Sequence, residues 1–347
     1  MLVESPPEQR AEHASAPPTH RTVRALGLLG AVAILLSVAL ASIAIGAKEL
    51  SLEQVWHGLF HGSGAYGEVV VAERLSRTVL GLLVGAALGL SGAVLQALTR
   101  NPLADPGLLG INAGASAAVV TAVSFFGVTS LSDYVWFAFA GAAAIGALVW
   151  FLGGSRGATP VRLALAGTAV SAALYGYLQA VMITDGAALD KMRFWTVGSL
   201  ASATDATIVR VLPFLAVGTV LALLLARPLN AVAMGGDTAR ALGVDLDRTR
   251  ALAMLAATVL SGAATAACGP IVFVGLIVPH AVRSFTGPDQ RWILPYAAVL
   301  SPVLLLGSDV VGRIVARPSE VQVGVVTAII GGPVFVLLVR WRRTAQL

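Results

Sequence analysis

Long apolar runs joined by short polar connections constrain this chain more than any other feature. They fall near residues 24–46, 76–98, 105–126, 133–153, 161–184, 205–226, 249–268, 271–286, 292–311 and 322–340. A helical crossing of the hydrocarbon core uses roughly 20 apolar residues. Lipid offers the backbone no hydrogen-bond partner, so runs of this length must be helices. Strands of a membrane barrel would alternate apolar and polar residues instead. The expected fold is all-α, a polytopic membrane protein with about ten transmembrane helices. Composition agrees: 57% of the 347 residues are hydrophobic and 12% are charged, against roughly 25% charged in soluble domains.

Charge sets the orientation. With the N-terminus inside, only eight of the 23 Lys and Arg face outward: Lys48, Arg74, Arg77, Lys191, Arg193, Arg210, Arg313 and Arg317. Inner connections therefore carry most of the positive charge, which places both termini on the cytoplasmic side. The net charge of +5 reads as a topology signal, and no nucleic-acid partner is expected. Residues 1–20 are rich in Pro, Glu and His without an apolar core, which predicts a disordered cytoplasmic tail and not a signal peptide. Residues 21–347 then form the membrane domain, its first span an uncleaved anchor. Cys268 is the single cysteine and excludes an internal disulfide.

Two kinds of energy coupling are missing. Neither Lys48 nor Lys191 follows a glycine, so the chain has no phosphate-binding Gly-x-x-x-x-Gly-Lys loop and cannot be a P-loop ATPase. Acidic residues such as Glu68, Glu73, Asp105, Asp185, Asp205, Asp309 and Glu320 sit at span ends or in connections. The midplane acids typical of an ion-coupled secondary transporter are not evident. His57 and His61, with Glu53 nearby, share a helical face at i and i+4 and could touch a metal or haem. A short interfacial helix carrying Trp56 and Phe60 explains them equally well, and no metal site is assigned.

Four stretches break the monotony of the spans. Arg74 and Arg77, at i and i+3 on the outer end of the second span, suit bidentate capture of carboxylates, or simple snorkelling to the interface. Asn101-Pro102-Leu103-Ala104-Asp105-Pro106-Gly107 is a tight inner turn. The longest inner connection, 227–250, contains Gly235-Gly236-Asp237. Asp237 is expected to cap a short helix over Thr238–Leu242 that Gly243 closes in the left-handed conformation. With Ala241 and Leu242 on one side and Arg240 on another, that helix suits docking into a partner's groove, or is a solvated connector. Pro279 predicts a kink in the eighth run. Gly81, Gly85 and Gly89 offer a smooth packing face, and Gly269-Pro270-Ile271-Val272-Phe273-Val274 is echoed weakly by Gly332-Pro333-Val334-Phe335-Val336.

Together, in this order and spacing, these motifs make the chain resemble FecCD-family permeases over roughly residues 24–340. Members of that family are the membrane subunits of type II ABC importers for iron-siderophore, haem and vitamin B12. The resemblance implies a second permease subunit, two ABC ATPase subunits that bind ATP and Mg, an extracytoplasmic substrate-binding protein, and a bacterial cell membrane. It implies no cofactor in this chain. Residue by residue, it implies that Arg74, Arg77 and Arg313 receive acidic side chains of the binding protein. Leu229, Gly235, Gly236, Asp237, Ala239, Arg240, Ala241, Leu242, Gly243 and Val244 correspond to the coupling helices. Asn101 and Leu103 correspond to the cytoplasmic gate. Ser76 stands where the family usually has proline between the arginines, and Gln322 also departs from a proline. Both are expected to loosen helix starts on the outer face.

Overall fold

The computed structural model describes residues 20–48, 50–60, 66–128, 131–154 and 160–344. The expected tail falls almost wholly outside the described residues, as does His61. In chain order the helices are α1 (His20–Ala44), α2 (Leu52–Phe60), α3 (Tyr66–Thr99), α4 (Ile111–Phe126), α5 (Leu131–Gly154), α6 (Pro160–Thr184) and α7 (Gly186–Trp195). They continue with α8 (Asp205–Leu224), α9 (Ala226–Ala233), α10 (Gly236–Ala241), α11 (Leu246–Cys268), α12 (Val274–Thr286), α13 (Gln290–Val315) and α14 (Val323–Thr344). A 3-10 turn over Pro106–Leu109 precedes α4.

Each of the ten apolar runs lands on one of these helices, with α2, α7, α9 and α10 as short additions. Among the described residues, seven helices are long and apolar enough to cross a membrane: those at Arg21–Ala44, Gly67–Thr99, Asp133–Gly153, Val161–Thr184, Asp205–Leu224, Leu246–Cys268 and Gln290–Val315. α2 supplies the short helix expected in the region of His57. α12 continues as one helix through Pro279, and α14 through Pro333.

α3 and α11 form the middle of the bundle and are mostly buried, whereas α1, α6 and α8 leave wide apolar faces uncovered, as lipid-facing helices do. The glycine face of α3 explains why α13 can lie so close. A side-chain carbon at Gly85 would sit 2.5 Å from the Pro302 backbone, and one at Gly89 would strike Ser301. Only glycine leaves room there, so this face is a packing seam. Phe273 of the first echoed motif lies against Gly331, the residue just before the second.

Candidate functional site

Polar structure concentrates at the two ends of the bundle, named outer and inner after the orientation expected from the charge distribution. At the outer end, α1 stops at Ala44 and leaves carbonyl groups without helical partners. Three arginines supply the missing donors. Arg74 donates to the carbonyls of Ile43, Ala44 and Lys48. Arg313 donates to those of Ser42 and Ile45, at 2.8 and 3.0 Å. Arg317 donates to that of Gly46 at 2.8 Å. Cations at a helix C-terminus also oppose the negative end of its dipole.

Carboxylates complete the cluster. Asp309, buried on α13, accepts a bidentate pair of hydrogen bonds from Arg77 Nε and Nη2 at 3.0 and 2.7 Å. It also pairs with Arg313 at 2.9 Å. Arg77 spends its remaining arm on Glu320, at 2.7 Å. Ser42 Oγ joins Thr78 and receives Arg313, so α1, α3 and α13 are stitched into one network.

These contacts revise the picture of three outward-reaching docking arginines. Arg74 is 6% exposed and Arg313 1%, and their guanidinium groups are engaged inside the protein. Arg77 alone among them pairs with a partly exposed group, Glu320. All three still line one open polar cavity, together with Lys48, Glu73 and Glu320. An adjoining cleft shares Ala201 and Ser202 and adds Lys191, Phe194 and Gln322. Ser76 does not loosen a helix start, because α3 begins at Tyr66. Its hydroxyl reaches Asp205 at 2.6 Å and ties α3 to α8.

At the inner end, α8 turns into α9 and α10 through a compact elbow. Ala231, Val232, Ala239 and Leu246 make a small core of their own, with Val244 packed against it. Asp237 is not the cap: Gly235 holds that position with φ of 115°, and Asp237 lies in the first turn, paired with Arg240 at 3.3 Å. Because φ in this range suits glycine alone, the side-chain cap expected from sequence is replaced by backbone geometry. The helix closes as expected. Gly243 has φ of 79°, its N–H bonds Arg240 O, and the Val244 N–H bonds Ala239 O, both at 2.9 Å.

Burial sorts the residues expected to couple to a partner into two groups. Leu229 and Ala239 are fully buried and hold the elbow together. Asp237, Arg240, Ala241 and Leu242 are exposed, Leu242 at 60%, and Met234 joins them at 59%. Asn230 anchors the elbow to α13. Its amide nitrogen donates to Asp289 at 2.6 Å and its oxygen accepts the Gln290 N–H at 2.7 Å. The Arg291 guanidinium, with Asn230 behind it, holds the Asp289 carboxyl down at about 2. α9 escaped the sequence reading, although Ala226, Leu229 and Val232, all buried, recur every three residues. Asn230 also gave no signal, since its partner lies sixty residues away.

The turn that follows α3, also at the inner end, is built by side chains. Asn101 Oδ1 accepts the Leu103 N–H at 3.0 Å, and Asp105 accepts that of Gly107 at 2.7 Å. Burial pushes the Asp105 carboxyl up to about 6, against the pull of that Gly107 bond. Asn101 and Asp105 line a cleft with Thr99, Val161 and Leu165, so this turn faces the start of α6.

Comparison with known proteins agrees over nearly the whole chain. The model of the FecCD transport family matches residues 34–341. The ferric enterobactin transport system permease protein FepD of Escherichia coli (strain K12) is 45% identical over 322 residues, 91% of this chain and 96% of that protein. The Fe(3+)-citrate import system permease protein YfmD of Bacillus subtilis (strain 168) is 40% identical, covering 88% and 91%. A solved metal-chelate type ABC transporter in an inward-facing conformation superposes with a TM-score of 0.80 at 28% identity, over 91% of this chain and 99% of that one.

Proposed function

Since this chain belongs to the FecCD transport family, we propose that it is the membrane permease of an ATP-driven importer for an iron chelate, most plainly a ferric siderophore. The observation that carries this reading is the pairing of an arginine-lined outer cavity with an exposed, backbone-capped inner elbow. Names of relatives favour iron: one is a ferric enterobactin permease, another an Fe(3+)-citrate permease. Haem and cobalamin are the competing cargoes. Exposed Tyr175, Tyr177 and Phe194 would tolerate a bulky ligand, while Met182, Met192 and Trp195 are buried and belong to the packing.

In this reading both termini and the elbow face the cytoplasm. Two ATPase subunits grip Met234, Arg240, Ala241 and Leu242, and hold the ATP and Mg that this chain does not bind. An extracytoplasmic binding protein delivers cargo to the outer cavity, and a second permease subunit completes the path. Arg77 is the docking arginine able to change partner, because Glu320 is partly exposed and a carboxylate from the binding protein can take its place. Movement of the elbow reaches the bundle through Asn230 and Asp289, and the Asn101–Leu103 turn gates the inner end.

Reconstitution with the ATPases and binding protein tests this. Uptake of a ferric siderophore is expected only with ATP, and Arg77→Glu is expected to abolish it while membrane insertion persists. Uptake by the chain alone under an ion gradient would overturn the reading. Haem or cobalamin transport without siderophore transport would change the cargo only.

A further inference from the structure

Two clefts meet at Trp150. One is an apolar groove between α5 and α11. Its α5 wall is Phe139, Ala143, Gly146, Ala147 and Trp150, spaced so that one helix face carries small residues between two aromatics. Ala143, Ala147 and Leu255 are exposed, so the groove opens sideways to the bilayer. From Phe139 to Trp150 a helix rises about 16 Å, and one leaflet is half of a core about 30 Å thick. The groove thus has the depth of a single leaflet.

The second cleft continues past Trp150 to the inner surface, where Arg100 and Arg250 line it and, among the described residues, no carboxylate does. Arg100 is exposed, and its guanidinium has no hydrogen-bond or ion-pair partner among the described residues. Its backbone sits at φ of 50°, in the left-handed region. Arg250 has one long contact, 3.7 Å, with the exposed Asp247. Two cations with uncommitted donors, an interfacial tryptophan and an apolar trough form a continuous surface whose polarity changes where a lipid's does.

We propose that these clefts are one binding site for an anionic phospholipid of the cytoplasmic leaflet. Its phosphate lies between Arg100 and Arg250, and an acyl chain lies in the α5–α11 groove. The cleft also touches Val232 and Gly236 of the elbow, and Arg100 adjoins Asn101 of the gate turn. A lipid bound there therefore contacts the coupling elbow and the gate region together. Only the choice of leaflet rests on the orientation proposed above; lipid binding does not.

The test is native mass spectrometry of the purified full chain, delipidated in detergent and titrated with phosphatidylglycerol or phosphatidylcholine of equal acyl length. The expected result is a preference of about ten-fold or more for phosphatidylglycerol, the size two interfacial arginines supply. Arg100→Asn, which keeps a residue tolerant of the left-handed backbone, combined with Arg250→Gln should bring that ratio near one. Ala147→Trp, on an exposed face, should weaken both lipids by filling the groove. Equal retention of the two lipids, or a preference unchanged in the arginine variant, overturns the proposal. Binding of inorganic phosphate with no effect of Ala147→Trp on phosphatidylglycerol also overturns it, making the site an anion pocket. If the elbow faces outward, the same spectra result and only the leaflet changes, so the two failures are distinguishable.

Discussion

The outer and inner ends of this protein use polar residues in opposite ways. At the outer end, Arg74, Arg77 and Arg313 are drawn inward by backbone carbonyls and by Asp309, and charge is spent on joining α1, α3 and α13. At the inner end, α10 is capped by backbone geometry at Gly235 and Gly243, its core is Ala239 with a few aliphatic neighbours, and its charged residues Asp237 and Arg240 stay exposed, paired only with each other. Charge at an interface is therefore no guide to docking until its bonds have been traced. The exposed elbow is the more open surface, and the arginine cluster is first of all a clasp.

Removing the clasp's anion is the largest perturbation. Asp309→Ala leaves Arg77 and Arg313 buried against each other, and loss of one partner from a buried pair costs about 3–5 kcal/mol. The expected outcome is a steep fall in the thermal midpoint of the detergent-solubilised chain, or failure to recover it at all. Wild-type stability in this variant would break the comparison, because the arginines would then be available to a partner.

The elbow should respond the other way. Leu242→Glu sits on an exposed face and should leave stability within about 0.5 kcal/mol, yet the ATPase subunits should no longer copurify. Ala239→Glu, placed in the elbow's core, should instead lower stability, because burying an unpaired carboxylate is costly. If both variants keep the ATPase bound, docking lies elsewhere.

The turn around Asn101 and Asp105 supplies the smallest effect. Asp105 holds its proton up to about 6, whereas the unfolded chain releases it near 3.8. The folded state is therefore favoured at low pH, and that advantage is lost as pH rises from 3.8 through 6. Asp105→Asn keeps an acceptor for the Gly107 N–H and cannot titrate. It should flatten the pH dependence of the melting midpoint across this window, with the gain appearing at neutral pH.

Much of the architecture was legible because lipid leaves an apolar run little choice but helix. The glycine seam at Gly81, Gly85 and Gly89 was also readable, since its periodicity is local and no side chain intervenes. Helix α9 was not, because eight residues with a mixed face look like a connector until Leu229 is seen to be buried. Asp237 was misplaced for a related reason. An acidic residue after two glycines looks like a cap, but Gly235 adopts a conformation that makes a side-chain cap unnecessary.

The sequence by itself determined that this is a helical membrane protein, where its apolar helices run, and which motifs tie it to a transport family. Those properties depend on transfer from water to lipid and on spacing along one helix, both written in consecutive residues. Only the tertiary structure decided what the arginines do. Arg313 and Ser42 are far apart in the chain, yet one guanidinium serves the end of α1 and Asp309 together. Hydrogen-bond partners are chosen by which unsatisfied groups the fold brings within 3 Å, and that choice exists only once the helices have packed.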